Sequence, residues 1–321
     1  MKALDYKIAR GEYLDVFDQK RVLFGDFAEE YLDFSKATKS APTHRRDVTS
    51  LKPNLIPFFG SYLLTEITPQ MIEKYRIERI ATVEPATVNR EVGCLMHLYK
   101  KAIEWGQVSV NPTTSVKKLK EPPGRTRYLT VEEIHRLLDQ CSDGIRPIII
   151  TALNTGLRKS ELLGLRWSDV DFFHHSLTVT KTKNNEPKTV PLNGLLLGEL
   201  RKLSKNRTGE FVFVKKDGQP FGDLKVGFAG ACQRAGINNF RFHDLRHTFA
   251  SHLVMSGVNI RTVQQLLGHK DIRQTQRYSH LSTECLEEAV QILGTNMAQA
   301  IIDNRGDARK LLKNIAAPVA Q

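Results

Sequence analysis

Apolar residues along this chain recur at steps of three and four almost throughout, and at steps of two only between Ser176 and Leu192. The first spacing lines one face of an α-helix and the second one face of a strand, so a mainly α fold with a small antiparallel β-sheet is predicted. Phe24, Phe27, Tyr31 and Phe34 begin the helical pattern. A second segment carries Leu51, Leu55 and Phe58, and Pro53 and Pro57 are expected to break it. Thr68-Pro69 reads as a helix start, a hydroxyl cap followed by proline at the first helical position. The clearest helix runs from Thr87 to Trp105, with Val88, Val92, Leu95, Tyr99 and Ala102 on one face and Gly106 as a left-handed cap. These first hundred residues carry no strand signal.

A second pattern starts at Thr130 and Glu133, a capping box ahead of Ile134, Leu137 and Leu138. The apolar run Pro147 to Asn154 ends at Thr155-Gly156. Ser176 to Thr180 and Thr189 to Leu192 alternate around the turn-like Lys183-Asn184-Asn185-Glu186-Pro187, which predicts a β-hairpin. Phe211 to Val214 is a candidate for one more short strand, and helical spacing returns beyond Leu224.

A length of 321 residues suits two domains. We read residues 1–20 as a polar tail, 21–110 as a helical domain, 111–127 as a basic linker, 128–295 as a mixed α/β domain and 296–321 as a second tail. Lys117, Lys118, Lys120, Arg125 and Arg127 face only Glu121 in the linker, which fits a strap along a phosphate backbone or a merely soluble connection. Lys and Arg total 47 against 35 Asp and Glu, a net charge of +12. An excess of that size points to a polyanion, with nucleic acid ahead of an anionic membrane surface. No apolar run reaches the length of a spanning helix, and Met1 to Lys7 holds no apolar signal core. Cys94, Cys141, Cys232 and Cys285 are far apart and form no C-x-x-C, which argues against a zinc ribbon or redox pair and for a reducing, cytoplasmic setting.

Five features of the second domain could carry chemistry. They are Gly156-Leu157-Arg158-Lys159-Ser160-Glu161-Leu162, Lys183 in the hairpin turn, His243-Asp244-Leu245-Arg246-His247, Leu266-Leu267-Gly268-His269, and Thr275-Gln276-Arg277-Tyr278-Ser279-His280. Singly, each has a plainer account: a solvated arginine, an exposed turn lysine, a histidine at a helix end, a packed tyrosine. His243 and His247 are four apart and could share a metal on a helix, but no compelling third ligand is nearby.

Together and in this order, the five resemble the tyrosine recombinase (phage integrase) family. The resemblance spans about Thr130 to Leu293. It extends more weakly to the helical domain, where Thr87-Val88-Asn89-Arg90-Glu91 and Asn111-Pro112 look like the family's core-binding domain. By this resemblance Arg158, Lys183, His243, Arg246, His269 and Tyr278 are the catalytic residues, with Lys181 and Lys188 as competitors for the lysine role. Glu161 falls at an acidic position that would fix an arginine or cap a turn.

The resemblance implies cleavage and rejoining of double-stranded DNA through a 3′-phosphotyrosine. The covalent bond conserves energy, so no cofactor, metal or nucleotide is expected. The chemistry explains the residue types. Two guanidiniums hold the non-bridging oxygens as charge gathers there, and losing one such donor costs on the order of 3 kcal/mol, about a hundredfold in rate. A phenol has an ordinary pKa of about 10 and needs a proton acceptor, a role given to His243, with His269 bonding a phosphate oxygen. The leaving 5′ oxygen needs a proton, which Lys183 would donate from within a cationic cluster. The resemblance further implies a clamp of two domains around DNA and a homotetramer on paired sites. Ile301, Ile302, Leu311, Leu312 and Ile315 would dock on a neighbouring protomer, the plainer account being a terminal helix folded back on its own chain, and DNA-bending accessory proteins are further expected partners. Phage or mobile-element integration is expected ahead of chromosome-dimer resolution. A type IB topoisomerase-like enzyme and a DNA-binding protein with an inactive site are the rivals. Residues 1–20 are too short for the arm-binding domain of larger integrases.

Overall fold

The computed structural model describes residues 21–122, 125–180, 186–215, 217–281 and 290–298. The chain divides into two compact units between Gly124 and Arg125.

The first unit is helical. Helix α1 (Phe24–Thr38) buries Phe24, Phe27 and Tyr31 completely, as their spacing requires. Helix α2 (Ala41–Ser50) runs through one π-type turn (Leu51–Leu55) into α3 (Ile56–Phe59). The break expected at Pro53 and Pro57 therefore does not occur. Pro53 has no N–H to offer Thr49 O, and the side-chain amide of Asn54 donates to that carbonyl instead at 3.0 Å. Pro57 is the second residue of α3 and, having no N–H, leaves the ladder one bond short without ending the run.

Helix α4 (Pro69–Ile80) starts at Thr68, whose hydroxyl accepts the Met71 N–H. Helix α5 (Pro85–Glu104) closes the core with Val88, Leu95, Leu98 and Tyr99. Two buried carboxylates are fully engaged. Asp47 accepts from Ser35 and Lys39, each at 2.7 Å, and Glu91 accepts from Tyr75 at 2.7 Å and from both ends of the Arg79 fork. The stretch after Asn111 is not an exposed linker throughout. Thr113 and Val116 are buried, and Asn89 grips both backbone groups of Leu119 at 2.9 Å.

The second unit begins with α6 (Val131–Asp139), whose Thr130–Glu133 capping box is formed. Helix α7 (Arg146–Thr155) is its most buried element and ends at Gly156. Next come α8 (Lys159–Leu163) and a three-stranded antiparallel sheet in the order β1 (Val170–Asp171), β2 (Ser176–Val179), β3 (Lys188–Pro191). Pairing sets Leu177 against Val190 and Val179 against Lys188. Alternation places Leu177, Val179 and Val190 inward. Lys188, two residues before Val190, shares that inward face.

Helices α9 (Gly194–Lys205), α10 (Lys225–Arg234), α11 (Asp244–Met255), α12 (Ile260–Leu267) and α13 (Arg273–Gln276) follow. Phe211 and Val214 make isolated bridges, to Arg166 and Pro220, rather than the short strand expected there. Residues 290–298 are helical, and Val290, Ile292, Leu293 and Met297 on them are exposed. Among the described residues no helix is long and apolar enough to cross a membrane.

Candidate active site

Two glycines with positive φ build this site. Gly156 ends α7 at φ +60° and Gly268 ends α12 at φ +66°, a conformation that L side chains resist. These turns leave two carbonyls at helix C-termini pointing at one side chain. Arg246, one turn into α11, donates to Gly156 O and to Leu267 O, both at 2.6 Å. Two helix ends carry partial negative charge, so they suit a buried cation. The Arg246 side chain is 3% exposed. Burial, then the neighbouring Arg158, lowers its pKa to about 10, so it remains charged at neutral pH.

Arg158 stands at the head of α8. Glu161 accepts its backbone N–H at 2.9 Å and its Nη1 at 2.7 Å. The glutamate thus both caps the turn and aims the guanidinium. Burial pushes the Glu161 carboxyl up, but the two hydrogen bonds and the charge of Arg158 hold it below the usual carboxylate range. The Arg158 side chain remains partly open to solvent.

Arg158, Lys188, His269 and Gln264 line one cavity of about 530 Å³, with the Lys270–Glu186 ion pair (2.8 Å) among its walls. Lys183, the lysine that the resemblance names, lies outside the described residues, as does Lys181. Lys188 is inside the cavity, and its Nζ is buried with no hydrogen-bond partner among the described residues. Burial, then Arg246, lowers its pKa to about 7. Gly268 makes room for it, since a Cβ there would sit 3.2 Å from Lys188 Cδ. The signal was legible: Lys188 is in phase with Val190, hence on the core side of the hairpin.

His269 is half-buried, and its Nδ1 lies 2.9 Å from Thr275 Oγ1. Burial and then the two arginines lower its pKa to about 4, so the imidazole is neutral at pH 7. His243 stands at the N-terminal boundary of α11 and is more open; partial burial and Arg246 hold its pKa below the usual histidine value.

Tyr278 is 1% exposed, packed on Ala250, Val254, Val263 and Leu267. Burial raises its pKa to about 12, against the lowering effects of Arg277 and Arg246. Its hydroxyl meets Nδ1 of His247 at 2.5 Å, not His243. The sequence singled out His247 only as one of two helix-spaced histidines. The structure brings Arg158, Arg246, His269 and Lys188 together, with His243 and Tyr278 alongside through α11.

The chain matches the phage integrase family over residues 127–284. It is 32% identical over 240 residues to the integrase of Escherichia phage P2, covering 71% of this chain and 65% of that protein. It is 31% identical over 284 residues to the integrase of Haemophilus phage HP1, covering 83% of this chain and 78% of that protein. The match thus spans less than two thirds of the length of the P2 relative. Among solved structures, the Tn1549 transposon integrase in complex with transposon right-end DNA is similar in fold, with a TM-score of 0.71 at 19% identity over 85% of this chain and 100% of that one.

Proposed function

Because this chain belongs to the phage integrase family, we propose that it is a site-specific DNA recombinase whose Tyr278 attacks a DNA phosphate and holds the strand as a 3′-phosphotyrosine. The observation that carries the reading is the gathering of two anchored guanidiniums, Lys188 and His269 beside a buried tyrosine. Arg158 and Arg246 bind the non-bridging oxygens with forks fixed before substrate arrives, which favours the transition state over the ground state. Neutral His269 donates a hydrogen bond to one of those oxygens. As the Tyr278 Oη–P bond forms, the P–O5′ bond breaks and a hairpin lysine protonates the departing oxygen. A 5′-hydroxyl from another strand reverses the step.

Lys183 is the proposed proton donor, on the resemblance. Lys188 adds positive charge at the phosphate, on its position. The biological role is integration or excision of a phage or other mobile element, by a homotetramer on paired sites with DNA-bending accessory proteins, in the cytoplasm of a bacterial or phage-infected cell.

A nicked suicide duplex, built on repeats flanking the gene, tests the reading. The full chain is expected to become covalently attached to it through Tyr278, and Tyr278→Phe to give no adduct. A wild-type protein that binds this DNA without forming an adduct would exclude the recombinase. Supercoil relaxation that needs no paired site would indicate a topoisomerase instead.

A further inference from the structure

The phenol of Tyr278 must lose a proton as it attacks, and burial makes it hold that proton more tightly than usual. The acceptor within reach is Nδ1 of His247, at 2.5 Å. His247 is 7% exposed and follows Arg246 directly on α11, so the anchor that fixes the guanidinium also fixes the imidazole. Its ring packs edge-on against His243, with centroids 5.2 Å apart.

We propose that His247 is the proton acceptor for Tyr278, and that His243, one turn earlier, faces the DNA phosphate rather than the phenol. This rests on the recombinase reading. As Oη bonds to phosphorus the phenol proton passes to Nδ1, the P–O5′ bond breaks, and the lysine proton goes to the 5′ oxygen. Religation returns both protons. The step requires a neutral imidazole carrying its own proton on Nε2. Burial first, then His243 and Arg277, lower the His247 pKa to about 4, which keeps the ring neutral at pH 7. Such a ring is a weak base. It need act only in the transition state, where bonding to phosphorus strips the phenol oxygen of its proton affinity and the incoming phosphate charge favours an imidazolium.

The test measures single-turnover adduct formation by the full chain on the suicide duplex, from pH 6 to 9. The substrate carries a bridging sulfur at the 5′ position, so that leaving-group protonation no longer limits the rate. His247→Asn keeps an acceptor near the phenol but cannot take the proton. It is expected to lose about a hundredfold or more at pH 7, with a rate rising about tenfold per pH unit as hydroxide substitutes, and unchanged DNA affinity. His243→Asn is expected to keep the shallow wild-type profile. Free imidazole is expected to restore part of the rate to His247→Ala. Should His247→Asn stay within about threefold of wild type, or lose rate with a profile parallel to wild type, His247 is not the acceptor. A steep profile in His243→Asn alone would move the role to that residue. A wild-type protein without adduct would sink the recombinase reading itself, a result distinct from all of these.

Discussion

Arg246 and Lys188 show two opposite ways of burying a cation. Arg246 has a partner for each arm of its fork, in two helix-end carbonyls. Arg246→Lys keeps the charge but not the fork. Adduct formation should fall about a hundredfold or more with little change in DNA affinity, measured on the suicide duplex and by binding isotherm. The Lys188 amine has no hydrogen-bond partner among the described residues, and its pKa drops to about 7. The folded protein therefore releases this proton near pH 7, while the unfolded chain keeps it up to about 10.4. Over that window the unfolded state binds more protons, so this group's penalty shrinks as pH rises. Lys188→Met should raise stability at pH 7 by about 2 kcal/mol, with a smaller gain at pH 9, in denaturant titrations at both values. The same variant should lose strand cleavage, and a 5′-bridging sulfur should not restore it. Lys183→Met, lacking the proton donor, should be restored by that sulfur.

At the scale of elements, the glycine ends of α7 and α12 are what make Arg246 possible. A Cβ at Gly156 would lie 2.4 Å from a ring carbon of Phe249, at a φ of +60° that a side chain already resists. Gly156→Ala should cost about 2–4 kcal/mol in denaturant unfolding and lower adduct formation through the displaced carbonyl. Gly156 stood in the sequence at the end of an apolar run, and Gly268 only within the Leu-Gly-His motif. What they close upon was not legible, because Arg246 is 90 residues from one carbonyl and 21 from the other. The continuous run from α2 to α3 was misread for a related reason. Pro53 announces a lost N–H, but only the folded turn shows Asn54 taking its place. The β-hairpin was legible from its alternation, and that same period already assigned Lys188 to the inward face. Lys183 was named on the resemblance, and it lies outside the described residues.

For the whole molecule, a net charge of +12 carries a direct expectation. If about six or more phosphates are contacted, affinity for any duplex should fall about a thousandfold or more between 50 and 200 mM salt, read from binding isotherms. The exposed Val290, Ile292, Leu293 and Met297 lead towards the apolar positions of residues 299–321, which lie outside the described residues. Ending the chain after residue 296 should spare binding to a single site and impair recombination of paired sites. Full recombination by the shortened protein would remove the docking role. The sequence by itself determined the helical and strand periods, the end of the apolar run at Gly156 and the order of charged and nucleophilic groups, since all of these are local and follow from residue geometry. Tertiary packing alone decided that His247 rather than His243 meets the phenol of Tyr278, 31 residues away, and that Arg246 bridges two helix ends. Those pairings depend on how α11 lies against its neighbours, and no spacing along the chain encodes that.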